Sequence, residues 1–285
     1  MKQKNNEALY TITHPGTTLK QLLNQKNMSQ RELAVRTGLT EAYLSSLINC
    51  KKPLSVGTAK KIEYALGYTA EGWLTIQAQH DLAIYNFEEL NNITLKERNI
   101  LKKLEQLTLF MQEKELLTKT GDPLSLVIEL RQKMKVANLT AIPESFQVGI
   151  FDKPNKLNNP YLYYSCLGLC EYITSQITGN IPFDQEKLKV ELPSFEALLA
   201  SNADLKAIKN NLNDCGIRLL CLPRFSELKL EGYATMTVDE AYALFIFEQG
   251  ANLAKFNNIL SRCIKSIATG KVISKRVFNR RNREK

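Results

Sequence analysis

Between Met28 and Lys52 the chain reads MSQRELAVRTGLTEAYLSSLINCKK, and its short polar residues are spaced to present hydrogen-bonding groups to base edges. A helix opening after Thr40 turns Glu41, Ala42, Ser45, Ser46 and Asn49 outward near its start. Most of these side chains are short, so a backbone can approach a base pair closely. Lys51-Lys52-Pro53 follows as a basic turn suited to gripping phosphate.

Two short helices must position that face. Ser29 is an N-cap and Glu32, three residues on, is the partner of a capping box, so one helix starts at Gln30. Leu33 and Ala34 face inward, and Ala34 is small where the second helix must cross. Gly38 supplies the left-handed backbone of the tight turn. Leu39 lies under that turn, Thr40 caps the second helix, and Leu44, Leu47 and Ile48 form its inner face. The spacing is that of a helix-turn-helix whose second helix enters the DNA major groove. The competing reading is an ordinary helical hairpin.

Composition agrees with a polyanionic partner. The chain has 285 residues, enough for two or three modest domains, with 44% hydrophobic and 24% charged residues and a formal net charge of +9. Seven basic residues of the last fifteen (Lys271, Lys275, Arg276, Arg280, Arg281, Arg283, Lys285) face one acid, Glu284. This basic tail is expected either to touch phosphates or to be a solvated end. No apolar run approaches the roughly 20 residues of a membrane helix and no secretion signal is evident, so a cytoplasmic protein without membrane contact is expected. The six cysteines lie in apolar surroundings and read as reduced core thiols.

Around the central pair, His14-Pro15-Gly16 is a turn, and Thr17 or Thr18 opens a first helix with Leu19, Leu22 and Leu23 inward. A fourth helix runs from Ser55 or Val56 to Leu66 and ends at Gly67. A fifth runs from Ala70 to Tyr85 with Trp73, Leu74, Ile76 and Leu82 as its apolar members.

The segments HPGTTLKQLL, SQRELAVRTGLTEAYLSSLINCKKPLSVGTAKKIEYALG and EGWLTIQAQHDL resemble the XRE (Cro/phage-repressor) family. Within it they resemble the HigA-type antitoxin branch, with its His-Pro-Gly opening and its Trp-Leu-x-x-Gln helix. The resemblance implies a five-helix lambda-repressor-like domain. By position it puts Gln30 at a phosphate or base edge, turns Thr40, Glu41, Ala42 and Ser46 to the groove, and has Tyr43, Asn49, Lys51 and Lys52 hold the DNA backbone. Glu41 would then accept from a cytosine amino group, although it is equally a normal first-turn residue. Cys50 departs from the family, which usually ends the recognition helix with glycine. The partners implied are double-stranded DNA carrying an inverted-repeat operator, a second copy of the chain in a homodimer, and a toxin protein.

After Tyr85 a polar linker, Asn86 to Thr94, leads to a long helix from Leu95 to Thr118. Its stripe of Leu101, Leu104, Leu107, Phe110 and Met111 serves either as a dimer seam or as packing on a neighbouring domain. Further helices are expected over Pro123 to Lys135, Tyr161 to Thr178 and Ser194 to Cys215, with a loop over Phe146 to Pro160. Cys166 and Cys170, four apart with no histidine nearby, read as core. Strands are expected over Ile217 to Leu222, Gly232 to Met236 and Tyr242 to Phe247, then a helix over Asn252 to Ile267.

That order, with DCGIRLLCLPRFSELKLEGYA and AYALFIFEQGANLAKFNNIL, resembles an ImmA/IrrE-type metallopeptidase domain. Where that family carries His-Glu-x-x-His, this chain has Ser261, Arg262, Cys263, Ile264 and Lys265, which supply neither zinc ligand nor base. A degenerate, non-catalytic domain is expected, with no catalytic residue, metal or cofactor. The whole is read as a mainly α protein: a helix-turn-helix domain over 1–85, a helical middle region over 86–190, a small α/β C-terminal domain over 191–270 and a basic tail over 271–285. It is read as a sequence-specific DNA-binding regulator that represses its own promoter, or else as a toxin-neutralising module whose DNA binding is secondary.

Overall fold

In a computed structural model, residues 13–119, 121–147, 157–201, 204–226, 228–248, 253–270 and 275–279 are described. The fold is mainly α, and the chain divides into two compact units, Met1–Asn92 and Ile93–Lys285.

Among the described residues the first unit holds five helices: α1 (Pro15–Gln25), α2 (Gln30–Thr37), α3 (Glu41–Ile48), α4 (Val56–Leu66) and α5 (Ala70–Asn91). The caps explain the bounds. Ser29, Thr40, Ser55 and Thr69 each accept an amide N–H of the helix they open. The Ser29 box is half formed: Ser29 Oγ takes the Glu32 N–H at 3.0 Å, but the Glu32 carboxylate is turned to Arg36 at 2.7 Å. Gly38 ends α2 with φ 65°. Leu19, Leu33, Leu44, Leu47, Ala59, Ile62 and Trp73 form the core.

Two expectations need correction here. α1 begins at Pro15, two residues before Thr17, because His14 Nδ1 accepts the Gly16 N–H and proline suits a first helical position. α5 runs past Tyr85 to Asn91, since the polar residues from Asn86 carry no helix-breaking signal before Asn92. Leu82, one of the apolar members of this helix, is 61% exposed.

The second unit is a sheet covered on both faces. Its strands are β1 (Ile217–Leu222), β2 (Leu230–Met236), β3 (Tyr242–Phe247) and β4 (Lys275–Asn279), in the order β1-β3-β2-β4. β1 runs parallel to β3, whereas β2 is antiparallel to both β3 and β4. All six β3 residues are buried. Ala243, Phe245 and Phe247 meet one core with α6 (Leu95–Lys103), α7 (Glu105–Glu113), α8 (Pro123–Met134), α9 (Ile142–Gln147) and α10 (Pro160–Ser175). Tyr242, Leu244 and Ile246 meet the other, with α11 (Gln185–Ala200), α12 (Leu205–Asp214) and α13 (Leu253–Thr269). This period-two alternation ties the middle helices to the sheet. The division expected at residue 191 therefore falls inside one compact unit, and that expected at residue 85 falls inside α5.

Other differences have local causes. The helix expected over 95–118 breaks at Leu104, with φ −104° and ψ 8°, and ends at Glu113. α10 stops at Ser175, and Leu162 to Cys170 are buried on all sides rather than along one stripe. The helix expected from Ser194 to Cys215 is two helices. The first starts at Gln185, capped by Asp184, with Pro193 inside it. β4 lies within the stretch read as a basic tail. The remainder of that tail, 271–274 and 280–285, lies outside the described residues, as does 148–156 of the expected loop.

Glu97 anchors the helical layer. It is fully buried and accepts from Arg131 Nε at 2.9 Å, Arg131 Nη2 at 2.8 Å and the Leu139 amide at 3.1 Å.

Candidate nucleic-acid interface

At 100° per residue, Glu41, Ala42, Ser45, Ser46 and Asn49 occupy one arc of α3, opposite the buried Leu44 and Leu47. Glu41, Ala42 and Asn49 are exposed, and Ser45 and Ser46 half-buried. The structure thus brings the five residues onto one outward face. Ser46 Oγ donates to the Ala42 carbonyl at 2.9 Å, so its lone pairs are what it offers a base. Asn49 Nδ2 donates to the Ser45 carbonyl at 2.9 Å and to Ser45 Oγ at 3.4 Å, so its Oδ1 is what it offers a base.

Thr40 is exposed and its hydroxyl accepts the Tyr43 N–H at 3.2 Å, so it is first of all the cap of α3. Gln30, at the start of α2, is half-buried and reaches the Glu41 carbonyl at 3.5 Å. Tyr43 points elsewhere than the arc: its hydroxyl bonds Thr58 of α4 at 2.9 Å, and Lys52 Nζ stands 5.3 Å above its ring. Tyr43 is thereby a support for Lys52. Lys51 and Lys52 are exposed.

Below this face the backbone closes tightly. The Lys51 N–H bonds the Ser46 carbonyl at 2.8 Å and the Cys50 N–H bonds the Leu47 carbonyl at 3.0 Å. That double closure requires a left-handed residue, and Cys50 takes φ 58° where glycine would be unstrained. The N-terminal turn supports the same site. A Cβ on Gly16 would come 1.9 Å from the Leu47 oxygen, so only glycine lets α1 lie this close to α3. Gln77 of α5 accepts the Leu54 N–H at 2.7 Å and fixes the chain beyond the lysine turn. Burial pushes the His14 imidazole below its usual range and His80 adds to that, while Asp81 and the Lys52 main chain oppose it.

Arg31 is a residue that sequence reasoning passed over. It is 85% exposed and its Nε stands 4.0 Å from Glu41 Oε1. So exposed a pair contributes little to stability, leaving both partners available for exchange onto DNA. The signal was present: Arg31 directly follows Gln30 in the first turn of α2.

In the second unit, the positions matching the zinc helix lie on α13. Arg262 pairs with Glu231 and Lys265 with Glu196, while Cys263 and Ile264 are buried. Among the described residues no group of three or more His, Cys, Asp or Glu is placed to hold a metal. Burial pushes the Cys166 and Cys170 thiols up, as expected of core cysteines. Among the described residues no helix is long and apolar enough to cross a membrane.

Comparison with known proteins places a family match in the first unit. Residues 19–73 match the helix-turn-helix family. A search of curated proteins finds no match. Among solved structures, a putative antidote protein of a plasmid maintenance system from Nostoc punctiforme PCC 73102 is 25% identical. The match covers 27% of this chain and 87% of that one, with a TM-score of 0.26. The Pseudomonas aeruginosa antitoxin HigA, solved with the higBA promoter, is 19% identical over 27% of this chain and 86% of its own, with a TM-score of 0.27. An addiction module antidote protein of a HigA family from Coxiella burnetii is 24% identical over 38% and 98%, with a TM-score of 0.25. Residues 19–73 form a domain of the helix-turn-helix family.

Proposed function

We propose that the chain is a sequence-specific DNA-binding transcriptional regulator of antitoxin type that represses its own promoter. One observation carries this reading: Glu41, Ala42, Ser45, Ser46 and Asn49 share the outward arc of α3, with Lys51 and Lys52 exposed just beyond it. Short polar groups offer hydrogen bonds to base edges, and the two lysines take phosphates. Gln30 and Arg31 lie at the start of α2, suited to the adjacent backbone. A single module buries too little surface for tight binding, so the functional species is a homodimer reading an inverted repeat, with half-sites about one helical turn apart.

The HigA-type features support the same site: His14 and Gly16 hold α1 against α3, and Gln77 fixes the chain after the lysine turn. A toxin protein is accordingly a further partner, and the cytoplasm is the compartment. The second unit, read as a degenerate ImmA/IrrE-like fold, serves binding rather than catalysis. At the would-be zinc helix, Arg262 and Lys265 are engaged in ion pairs, and no histidine lies in that unit.

The test is titration of the protein against its upstream DNA and a scrambled duplex at two salt concentrations. Tight binding to the upstream DNA alone is expected. Equal, steeply salt-dependent binding to both would mean that positive charge acts without sequence readout.

A further inference from the structure

In the second unit, α8, α9 and α10 border a cleft of about 190 Å³. One wall is apolar. A Cβ on Gly168 would lie 2.6 Å from Met134 Sδ and 2.7 Å from Phe146 Cζ, so both side chains rest on the bare backbone of α10. The rest of the lining is polar or charged: Lys133, Lys135, Ser145, Glu171 and Tyr172. Its lysines lack counter-ions. Lys133 is half-buried, yet its ammonium donates to the neutral Tyr172 hydroxyl at 2.8 Å and stands 4.3 Å from the centre of that ring. Among the described residues neither Lys133 nor Lys135 has a carboxylate partner. Glu171, the one acid among the described lining residues, is already matched by the Lys275 ammonium at 2.5 Å and the Tyr233 hydroxyl at 2.9 Å. Lys135 also ends α8 in a left-handed conformation, φ 53°, so the chain carries a lysine at a backbone cost where glycine would be unstrained.

We propose that this cleft binds a small phosphate-type oxyanion, either free or as the monoester of a compact organic group. Lys133 and Lys135 supply the positive charge, and an ammonium-to-phosphate hydrogen bond is charge-assisted. Tyr172 supplies a directed donor: its oxygen accepts from Lys133, so its own O–H proton is left to give. Ser145 adds only lone pairs, because its hydroxyl donates to the Ala141 carbonyl at 2.9 Å. The volume selects a small ligand, since pockets for drug-sized molecules begin near roughly 300 Å³. Met134 and Phe146 give a compact organic group an apolar wall beside the anion. The site lies outside the DNA-binding reading and stands whether or not α3 reads sequence.

Isothermal titration calorimetry of the full chain with inorganic phosphate and with phenyl phosphate tests it, on the wild type, Lys133→Met and Lys135→Gly. Lys133→Met keeps the aliphatic stem and Lys135→Gly relieves the left-handed backbone, and circular dichroism verifies that each folds. Saturable binding is expected, with a dissociation constant of about 1 mM or below. Each substitution should weaken it about 10-fold. Lys135→Gly should at the same time raise the unfolding midpoint, which separates a lost ligand group from lost structure. Tighter binding of phenyl phosphate than of inorganic phosphate identifies the ligand as a monoester, and equal affinity as the free ion. The lysine turn of the first unit is the competing position, so the double variant Lys51→Ala, Lys52→Ala is titrated alongside and should bind both probes as the wild type does. Absence of saturable binding, indifference to either cleft substitution, or loss of binding in the double variant overturns the site.

Discussion

Gly16 and Leu47 meet backbone to backbone: a methyl group on Gly16 would lie 1.9 Å from the Leu47 carbonyl oxygen. The first helix is therefore seated directly on the helix that carries the candidate base-reading face. Gly16→Ala must push α1 away, at a cost of about 3 kcal/mol from overpacking. Urea unfolding followed by circular dichroism should show the loss, and selective DNA binding should fall with it.

His14 makes this seat sensitive to pH. Its Nδ1 must be unprotonated to accept the Gly16 N–H, and its folded pKa lies below the usual value near 6.5. As pH falls, the unfolded chain therefore takes up the proton first. The stability contributed is full above about pH 6.5 and is lost as pH drops through the folded pKa. The urea midpoint of the first unit should fall between about pH 7.5 and about pH 5.5, and His14→Asn should remove that dependence while keeping a cap acceptor.

Cys50 holds a left-handed conformation that a side chain makes costly. Cys50→Gly should stabilise the first unit by about 1 kcal/mol, read as a higher unfolding midpoint, with operator affinity kept or improved. An unchanged midpoint would mean that the contact of Cys50 with Thr17, at 3.4 Å, offsets the strain.

Much of this site is legible in the sequence because its punctuation is local. Ser29, Gly38, Thr40 and Gly67 bound helices where single residues decide the backbone. The rest depends on contacts distant in sequence. Glu32 faces a choice between its cap and Arg36 that spacing does not settle. Leu104 breaks a helix without proline or glycine, because α6 and α7 both bend onto one core. Pro193 looks like a helix start yet sits mid-helix after the Asp184 cap. Lys275 and Arg276 read as part of a charge run, which hid the pairing of β4 with β2.

Glu97 should behave oppositely to the DNA-facing residues. Burial raises its pKa, but the Arg131 guanidinium and the amides of Leu139 and Thr94 more than offset this, holding the carboxyl below its usual range. Its contribution is present above about pH 4.5 and lost as pH falls through the folded pKa. Glu97→Gln removes the carboxylate that accepts from the largely buried Arg131 and should destabilise the second unit by about 3 kcal/mol. Unfolding by circular dichroism reads that loss, and affinity of the first unit for DNA should not change.

The central claim is that α3 reads sequence while the lysine turn grips phosphate. The direct measurement compares Glu41→Ala, Ser46→Ala, Lys51→Ala and Lys52→Ala on upstream and scrambled duplexes at two salt concentrations. The first two should reduce the preference for upstream DNA by about 1–3 kcal/mol each. The lysine variants should weaken binding to both duplexes and lower the salt slope by about one unit each. Identical losses on both duplexes for all four variants would contradict the assignment of α3 as the recognition helix.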